Sequence, residues 1–346
     1  MHFAQSAKRL ISKSARSGGT IIGIMNISEM LRAASGYTGE HQVFPEHMSE
    51  TSQEVRKRIC ALKKIQIETI QIEADFYERV HQLEKEFQPR FDVVNAKRTD
   101  IVSGKHEPTP EEADVPLISS LDKDELEKLE TEWNSNTTGA ESVTGIPDFW
   151  LTTLRGATGI AEMIQEHDVP ILKHLTDITC TINESPKSYT LHFHFSDNEY
   201  FTNSVLEKFY EISTGISEKN PFDYEGPVVV AVSGTDIKWV NGKNVTKKVI
   251  KKKAKKGLSA GKFVTKTIKT DSFFNFFDPT VTTLPQDGGE VDEDMQDLMR
   301  ADFEIGQLLR DQVLPRAVLY WTGEAVEDEI FDDFDEEDDE DVMDDE

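Results

Sequence analysis

The feature that most constrains this chain is a stretch over residues 51–99 that has no glycine and one proline, Pro89. Apolar side chains recur at Val55, Ile59, Leu62, Ile65, Ile72, Phe76, Val80, Leu83, Phe87, Phe91 and Val94, with Thr69 filling one step. The steps are three and four residues, which is a helical stripe and not a strand alternation. Glu, Lys, Arg, Gln and Asp fill the positions between, as a solvated helix face requires. With the helical domain set at 49–103, a helix over 51–99 would be roughly 70 Å long. That is longer than a globular core is wide, so its apolar stripe needs a cover from outside the chain. A second copy of the same helix is the economical cover. The spacing therefore predicts a homodimer with Val55, Ile59, Leu62, Phe76, Val80 and Leu83 in the seam. The alternative is a helix docked along its own domain. Pro89 removes one backbone donor and is expected to bend the rod late.

Charge narrows the partner classes. The chain has 346 residues, 38 basic and 65 acidic, for a formal net charge of −27. That balance disfavours nucleic acid or an anionic membrane as the direct partner and favours a basic one, or simple solubility. The charge is also segregated. Residues 237–270 hold twelve Lys and no acid, and residues 324–346 hold sixteen acids and no base. The two cysteines, Cys60 and Cys180, belong to no CxxC motif, which fits a reducing compartment. No apolar run approaches the length of a membrane span.

Residues 1–48 read as a disordered N-terminal extension. The first 28 carry four basic groups and no acid. That is the pattern of a mitochondrial transit peptide, or of a segment upstream of an internal start, since Met25, Met30 and Met48 all precede the long helix. Residues 104–144 read as an accessory segment: a stiff acidic linker, Glu107-Pro108-Thr109-Pro110-Glu111-Glu112, then a short polar helix from Asp122 to Trp133. A compact domain follows at 145–323. It opens on a buried helix start at Phe149, Trp150 and Leu154. A second short helix has Asp168 as its candidate cap. Two alternating runs, 177–182 and 189–195, flank Glu184-Ser185-Pro186-Lys187 and predict an antiparallel hairpin. Phe201, Val205, Phe209 and Ile212 are spaced as one helix face, with Asp197-Asn198 as its cap. A strand is expected at 228–232 and a protruding basic hairpin at 241–270. The run Phe273-Phe274-Asn275-Phe276-Phe277 must be an anchor, because exposed it would aggregate. A last helix, 292–313, is expected to turn Leu298, Ile305, Leu309 and Val313 inward, with Val318, Leu319 and Trp321 closing the fold. Residues 324–346 read as a disordered acidic tail.

Catalysis finds little support. His192 and His194 lie two apart on a predicted strand, so they share a face, as a metal pair would. His174 and Cys180 are near in sequence. No third ligand stands at a recognisable spacing, and no phosphate loop or nucleophile elbow is present. No catalytic residue, metal or cofactor is assigned.

The order of landmarks resembles the nucleosome assembly protein family. The resemblance is carried by Val55-Arg56-Lys57-Arg58-Ile59-Cys60, Phe76-Tyr77, Leu83-Glu84 and Lys97-Arg98. It continues in Gly145-Ile146-Pro147-Asp148-Phe149-Trp150, Leu172-Lys173-His174-Leu175, Asn198-Glu199-Tyr200-Phe201 and Gly242-Lys243-Asn244-Val245-Thr246. The last matches are Ser272 with the phenylalanine run, Asp302-Phe303-Glu304-Ile305-Gly306 and Tyr320-Trp321-Thr322-Gly323-Glu324. It spans about residues 50–330 and is closer to the assembly-protein branch than to the SET branch. It implies an α+β fold: a long dimerisation helix followed by an α/β earmuff domain, with an antiparallel sheet over helices. It also implies an activity, chaperoning core histones, chiefly H2A–H2B, for nucleosome assembly, disassembly and transport between cytoplasm and nucleus.

A single surface ion pair is worth about 0–1 kcal/mol, so a histone-binding surface must act as a field of many carboxylates. On the folded domain the candidates are Glu166, Asp168, Asp177, Glu199, Asp302 and Glu304. On the tail they are Glu327, Asp332, Asp333, Asp335 and Glu336, with Phe331 and Phe334 as apolar anchors. Each carboxylate reads otherwise as a solvated charge, and the tail as a solubility tail. Lys251, Lys252, Lys253, Lys255 and Lys256 fit a nuclear-import signal. They also fit a DNA-touching patch or a dock for the acidic tail. Ile59, Leu62, Ile65 and Ile67 have export-signal spacing, which the dimer seam explains as well. The implied partners are core histones, a second copy, linker histone and import receptors, with no membrane and no sequence-specific DNA contact. The competing readings are a general acidic escort of basic proteins and a SET-like regulator docking on a phosphatase.

Overall fold

The computed structural model describes residues 45–48, 50–136, 143–253, 263–278, 282–283 and 293–325. Helix α1, Gln53–Val102, is continuous through Pro89 and spans about 75 Å. Ser52 caps it by accepting the Val55 N–H. Helix α2 is Lys123–Asn136. A reciprocal capping box starts it, the Glu125 N–H donating to Asp122 Oδ1 at 2.9 Å and the Asp122 N–H to Glu125 Oε2 at 3.1 Å. Three short helices follow: α3 (Phe149–Gly156), α4 (Thr158–Ala161) and α5 (Val169–Leu172).

The strands are β1 (Leu175–Glu184), β2 (Lys187–Phe195), β3 (Val205–Ser213), β4 (Val228–Gly234), β5 (Lys247–Lys253), β6 (Phe263–Lys269) and β7 (Thr282–Thr283). They form a five-stranded antiparallel sheet in the order β1-β2-β3-β4-β7, with β5-β6 apart as a two-stranded ribbon. Helices α6 (Glu293–Gln307) and α7 (Ala317–Thr322) complete the chain, joined by a π-helical segment, Leu308–Val313.

One face of the sheet is buried. Tyr189, Leu191, Phe193 and Phe195 of β2 point into it, beside Ile178 of β1 and Leu206 and Tyr210 of β3. The phenylalanine run lies across this face as a 3-10 helix, Phe273–Phe277, with all four rings buried. Phe193 meets the Phe277 ring edge-on at 4.9 Å, and Phe303 of α6 packs on Tyr210 at 5.7 Å. Gly306 makes that packing possible: a Cβ there would lie 2.5 Å from the Tyr210 ring. The opposite face, with Thr179, Thr181, His192, His194 and Glu207, carries the polar half of the alternation.

Helix α1 has two faces with different fates. Ile70, Ala74 and His81 are buried against the chain's own domain. Gln88 lies on the free edge of β1 and acts as a strand substitute. Its amide donates to Cys180 O at 2.5 Å and accepts the Ile182 N–H at 2.8 Å. Covering an edge in this way blocks pairing with foreign strands. Arg98 donates to Leu314 O at 2.7 Å, and its guanidinium lies over the Trp150 ring. The rod therefore docks on its own domain, but mostly through a polar stripe. The apolar stripe expected to be a seam stays outside: Val55, Ile59, Leu62, Phe76 and Leu83 are exposed, Ile72 at 70%, and Val80 is half-buried.

Three expectations need correction. Residues 198–201 are a turn, in which Asn198 Oδ1 accepts the Tyr200 and Phe201 N–H groups, and residues 205–213 are strand β3, not a helix. The inward series is Leu206, Lys208 and Tyr210, and a lysine in that series disguised a period of two. In α6, Met299 is buried and Leu298 is 42% exposed, because the inward face follows Met299 and Phe303. At the C-terminal end Ala317 and Tyr320 are buried, whereas Val318 and Trp321 are exposed.

Candidate functional site

The six carboxylates nominated on the folded domain divide by environment. Asp168 is fully buried. Its Oδ1 accepts the Ser272 hydroxyl at 2.6 Å, and its Oδ2 accepts the Phe273 N–H at 2.7 Å and the Gln165 N–H at 3.0 Å. Ser272 in turn accepts the Phe274 N–H at 3.1 Å. Asp168 thus ties the phenylalanine helix to the turn before α5, and makes no side-chain cap to α5. Asp177 is also buried; it accepts the Thr99 hydroxyl at 2.7 Å and so joins β1 to the end of α1.

Asp302 is engaged from beneath. Lys208 points into the core and donates to Asp302 Oδ2 at 2.7 Å and to Phe276 O at 2.8 Å. Tyr210 donates its hydroxyl to Asp302 Oδ1 at 2.7 Å. Burial pulls the Lys208 ammonium below its ordinary pKa, and Asp302 opposes the fall. A buried ammonium persists where paired in this manner. Asp168, Asp177 and Asp302 are therefore fold-holding groups and not parts of a free anionic surface.

Glu166, Glu199 and Glu304 are exposed. Lys243 pairs with Glu199 at 2.8 Å and holds its carboxyl below the usual range. The open sheet face adds a carboxylate that the sequence reading missed. Glu207 of β3 is exposed there and accepts from His192 Nδ1 at 3.2 Å. The Thr181 hydroxyl meets His192 Nε2 at 3.0 Å, and the Thr179 hydroxyl meets His194 Nε2 at 3.0 Å. Burial lowers the His194 pKa. The strand alternation of 205–211 is the signal that would have found Glu207, and reading that stretch as a helix hid it. Among the described residues, no group of three or more His, Cys, Asp or Glu is placed to hold a metal ion. Among the same residues no helix is long and apolar enough to cross a membrane.

Glu327, Asp332, Asp333, Asp335 and Glu336 of the tail lie outside the described residues, as do Lys255 and Lys256. Lys251, Lys252 and Lys253 fall on strand β5. A second set of charges binds the rod to the π-helical segment. Arg310 meets Glu84 at 3.3 Å and Asp311 at 2.6 Å, and its guanidinium lies over the Tyr189 ring. Burial alone would lower the Arg310 pKa, but the two carboxylates hold it above its ordinary value.

These features define a class of scaffold: an acidic α+β domain with helices on one sheet face, fused to a long helix whose apolar stripe is left exposed among the described residues. The sequence model of the family described as Nucleosome assembly protein (NAP) matches residues 57–324. The chain is 45% identical over 288 residues to Nucleosome assembly protein 1-like 1 of Xenopus tropicalis, covering 82% of this chain and 72% of that one. It is 42% identical over 287 residues to human Nucleosome assembly protein 1-like 4, covering 80% and 75%. The solved structure of Nucleosome Assembly Protein 1 from Plasmodium knowlesi aligns with 79% of this chain and 98% of its own, at 23% identity and a TM-score of 0.47. The chain belongs to the nucleosome assembly protein family.

Proposed function

We propose that this protein is a histone chaperone acting in nucleosome assembly, a binding protein with no catalytic step. The observation that carries the reading is family membership across most of the chain, on a chain whose net charge of −27 suits a strongly basic cargo. Histones neutralise DNA phosphates wherever they meet them, so a chaperone must offer a competing anionic field. Exposed Glu166, Glu199, Glu207 and Glu304, with the tail carboxylates Glu327, Asp332, Asp333, Asp335 and Glu336, are the groups proposed to supply it. H2A–H2B is the favoured cargo, and linker histone a further one.

The working unit is proposed to be a homodimer joined along α1. The exposed row of Val55, Ile59, Leu62, Phe76 and Leu83 supports this seam, because water would otherwise solvate a long apolar stripe. Residues 251–256 are proposed as the import signal, giving traffic between cytoplasm and nucleus through import receptors.

The test is a titration of labelled H2A–H2B with mass measurement of the complex. Binding is expected to weaken steeply with salt and to weaken on removal of residues 324–346 without unfolding. Equal affinity for unrelated polycations would favour a general escort of basic proteins. Recovery of a phosphatase and no histone from cell extract would favour a SET-like regulator.

A further inference from the structure

The ribbon of β5 and β6 stands apart from the main sheet, paired from Lys247↔Lys269 to Lys253↔Phe263. Its root is clasped by Thr270, whose N–H donates to Thr246 O at 2.9 Å and whose hydroxyl donates to Val245 O at 2.8 Å. Lys247, Lys248 and Lys269 are exposed, and Lys269 meets Asp278 at 3.1 Å. With twelve lysines and no acid in residues 237–270, this is a concentrated cation on a strongly anionic protein.

A cleft of about 400 Å³ opens at the root of the ribbon. Ile237 and Trp239, both half-buried, line it with Phe274 and Phe277, beside Lys247, Asp236 and the Lys269–Asp278 pair. The cleft therefore offers apolar surface at the foot of a ribbon whose lysines outnumber the two aspartates beside it. Its chemical complement is an aromatic side chain flanked by carboxylates.

That complement occurs in the chain itself. Residues 326–346 contain no base, and within them Phe331-Asp332-Asp333-Phe334-Asp335 alternates aromatic rings with acids. This segment follows Ala325, which packs against the core. Phe331 and Phe334 lie six and nine residues beyond Ala325, a reach of about 20 Å and about 30 Å when extended. That exceeds the radius of gyration of a domain of this size, roughly 16 Å, and the rest of the tail, up to ~70 Å in all, can run along the ribbon. Tethering raises the effective concentration to about millimolar, at which even a weak contact is occupied.

We propose that the chain's own tail, residues 326–346, docks on the basic ribbon, bringing the Phe331 and Phe334 pair to the cleft and their flanking carboxylates to Lys247, Lys248 and Lys269. The docked tail is withheld from basic cargo, and the ribbon is withheld from any acidic receptor. A cationic cargo that captures the tail uncovers the ribbon in the same step. The contact needs no cargo to form, so it stands or falls separately from the histone reading.

The experiment uses the full chain with a photo-crosslinking residue in place of Phe334, as a mixture of isotopically heavy and light copies. Crosslinks are expected within one chain to residues 237–278, and are expected to fall about tenfold in the triple variant Lys247→Gln, Lys248→Gln, Lys269→Gln. Crosslinks to other regions, crosslinks only between heavy and light copies, or yields unchanged in the triple variant would overturn the proposal. A second measurement does not depend on the probe. A chain ending at residue 325 should bind a peptide of residues 326–346 at least about tenfold more tightly than the full chain does, because the full chain's site is already filled. Equal binding by the two would overturn it.

Discussion

Replacing Asp168 by alanine separates a cargo contact from a structural keystone. The carboxylate is fully buried and accepts three donors, at 2.6 Å, 2.7 Å and 3.0 Å. Hydrogen bonds to a charged group contribute about 1.5–3 kcal/mol each, and a buried donor left unpaired costs about 1–3 kcal/mol. The three share one acceptor and are not additive, so a loss of about 4 kcal/mol is expected, the scale at which buried polar networks fail. Natural domains have about 5–15 kcal/mol in total, so much of the stability goes. Urea unfolding followed by tryptophan fluorescence reads this directly, since Trp150 sits in the core. Asp168→Asn keeps a carbonyl oxygen to accept backbone N–H groups and should lose only about 1–2 kcal/mol. The histone affinity of the folded fraction should be unchanged in both variants. An Asp168→Ala protein that unfolds at the parent urea concentration yet binds histone more weakly would refute the structural role.

Other outcomes follow from the same geometry. Asp302→Ala should destabilise by about 3–5 kcal/mol, because it strands the buried Lys208 ammonium, whereas exposed Glu166→Gln should change stability by less than about 0.5 kcal/mol; thermal melts compare the two. Phe76→Glu with Leu83→Glu should yield folded monomers by light scattering, since both side chains are exposed in the single chain, and an intact dimer would remove α1 from the interface. Burial pushes the Cys180 thiol up to about 12, so iodoacetamide should spare it in the native protein and modify it after unfolding, as mass spectrometry would report. Burial lowers the His194 pKa, against the opposing pull of Asp177. A histidine with a lowered folded pKa binds fewer protons than the unfolded chain, so its contribution to stability is present above about pH 6.5 and declines as pH falls below it. His194→Asn should flatten that decline in melting temperature, and an unaltered pH profile would count against the role of His194.

Periodicity alone made the long helix legible, because residues 51–99 have only one breaking residue and repeat every three or four positions. The hairpin of β1 and β2 was legible for the same reason with a period of two. The phenylalanine run announced its own burial, since four exposed rings would not stay in solution. What the linear pattern obscured were the places where a polar residue turns inward. Lys208 interrupts the alternation of β3 because its ammonium is satisfied by Asp302 and Phe276 O, groups from distant parts of the chain. Asp168 and Asp177 look like surface acids until Ser272 and Thr99 are brought to them.

The amino-acid sequence determined the rod, its exposed apolar stripe, the segregated charges and the family, because each depends on local spacing or on ordered landmarks. Tertiary structure decided which carboxylates stay exposed and which are consumed inside. It also decided that α1 docks on its own domain by a polar face, through Gln88 and Arg98. The physical reason is that desolvation and hydrogen-bond satisfaction belong to the assembled neighbourhood of a group: the same aspartate is a surface charge in water and a structural tie once three donors surround it.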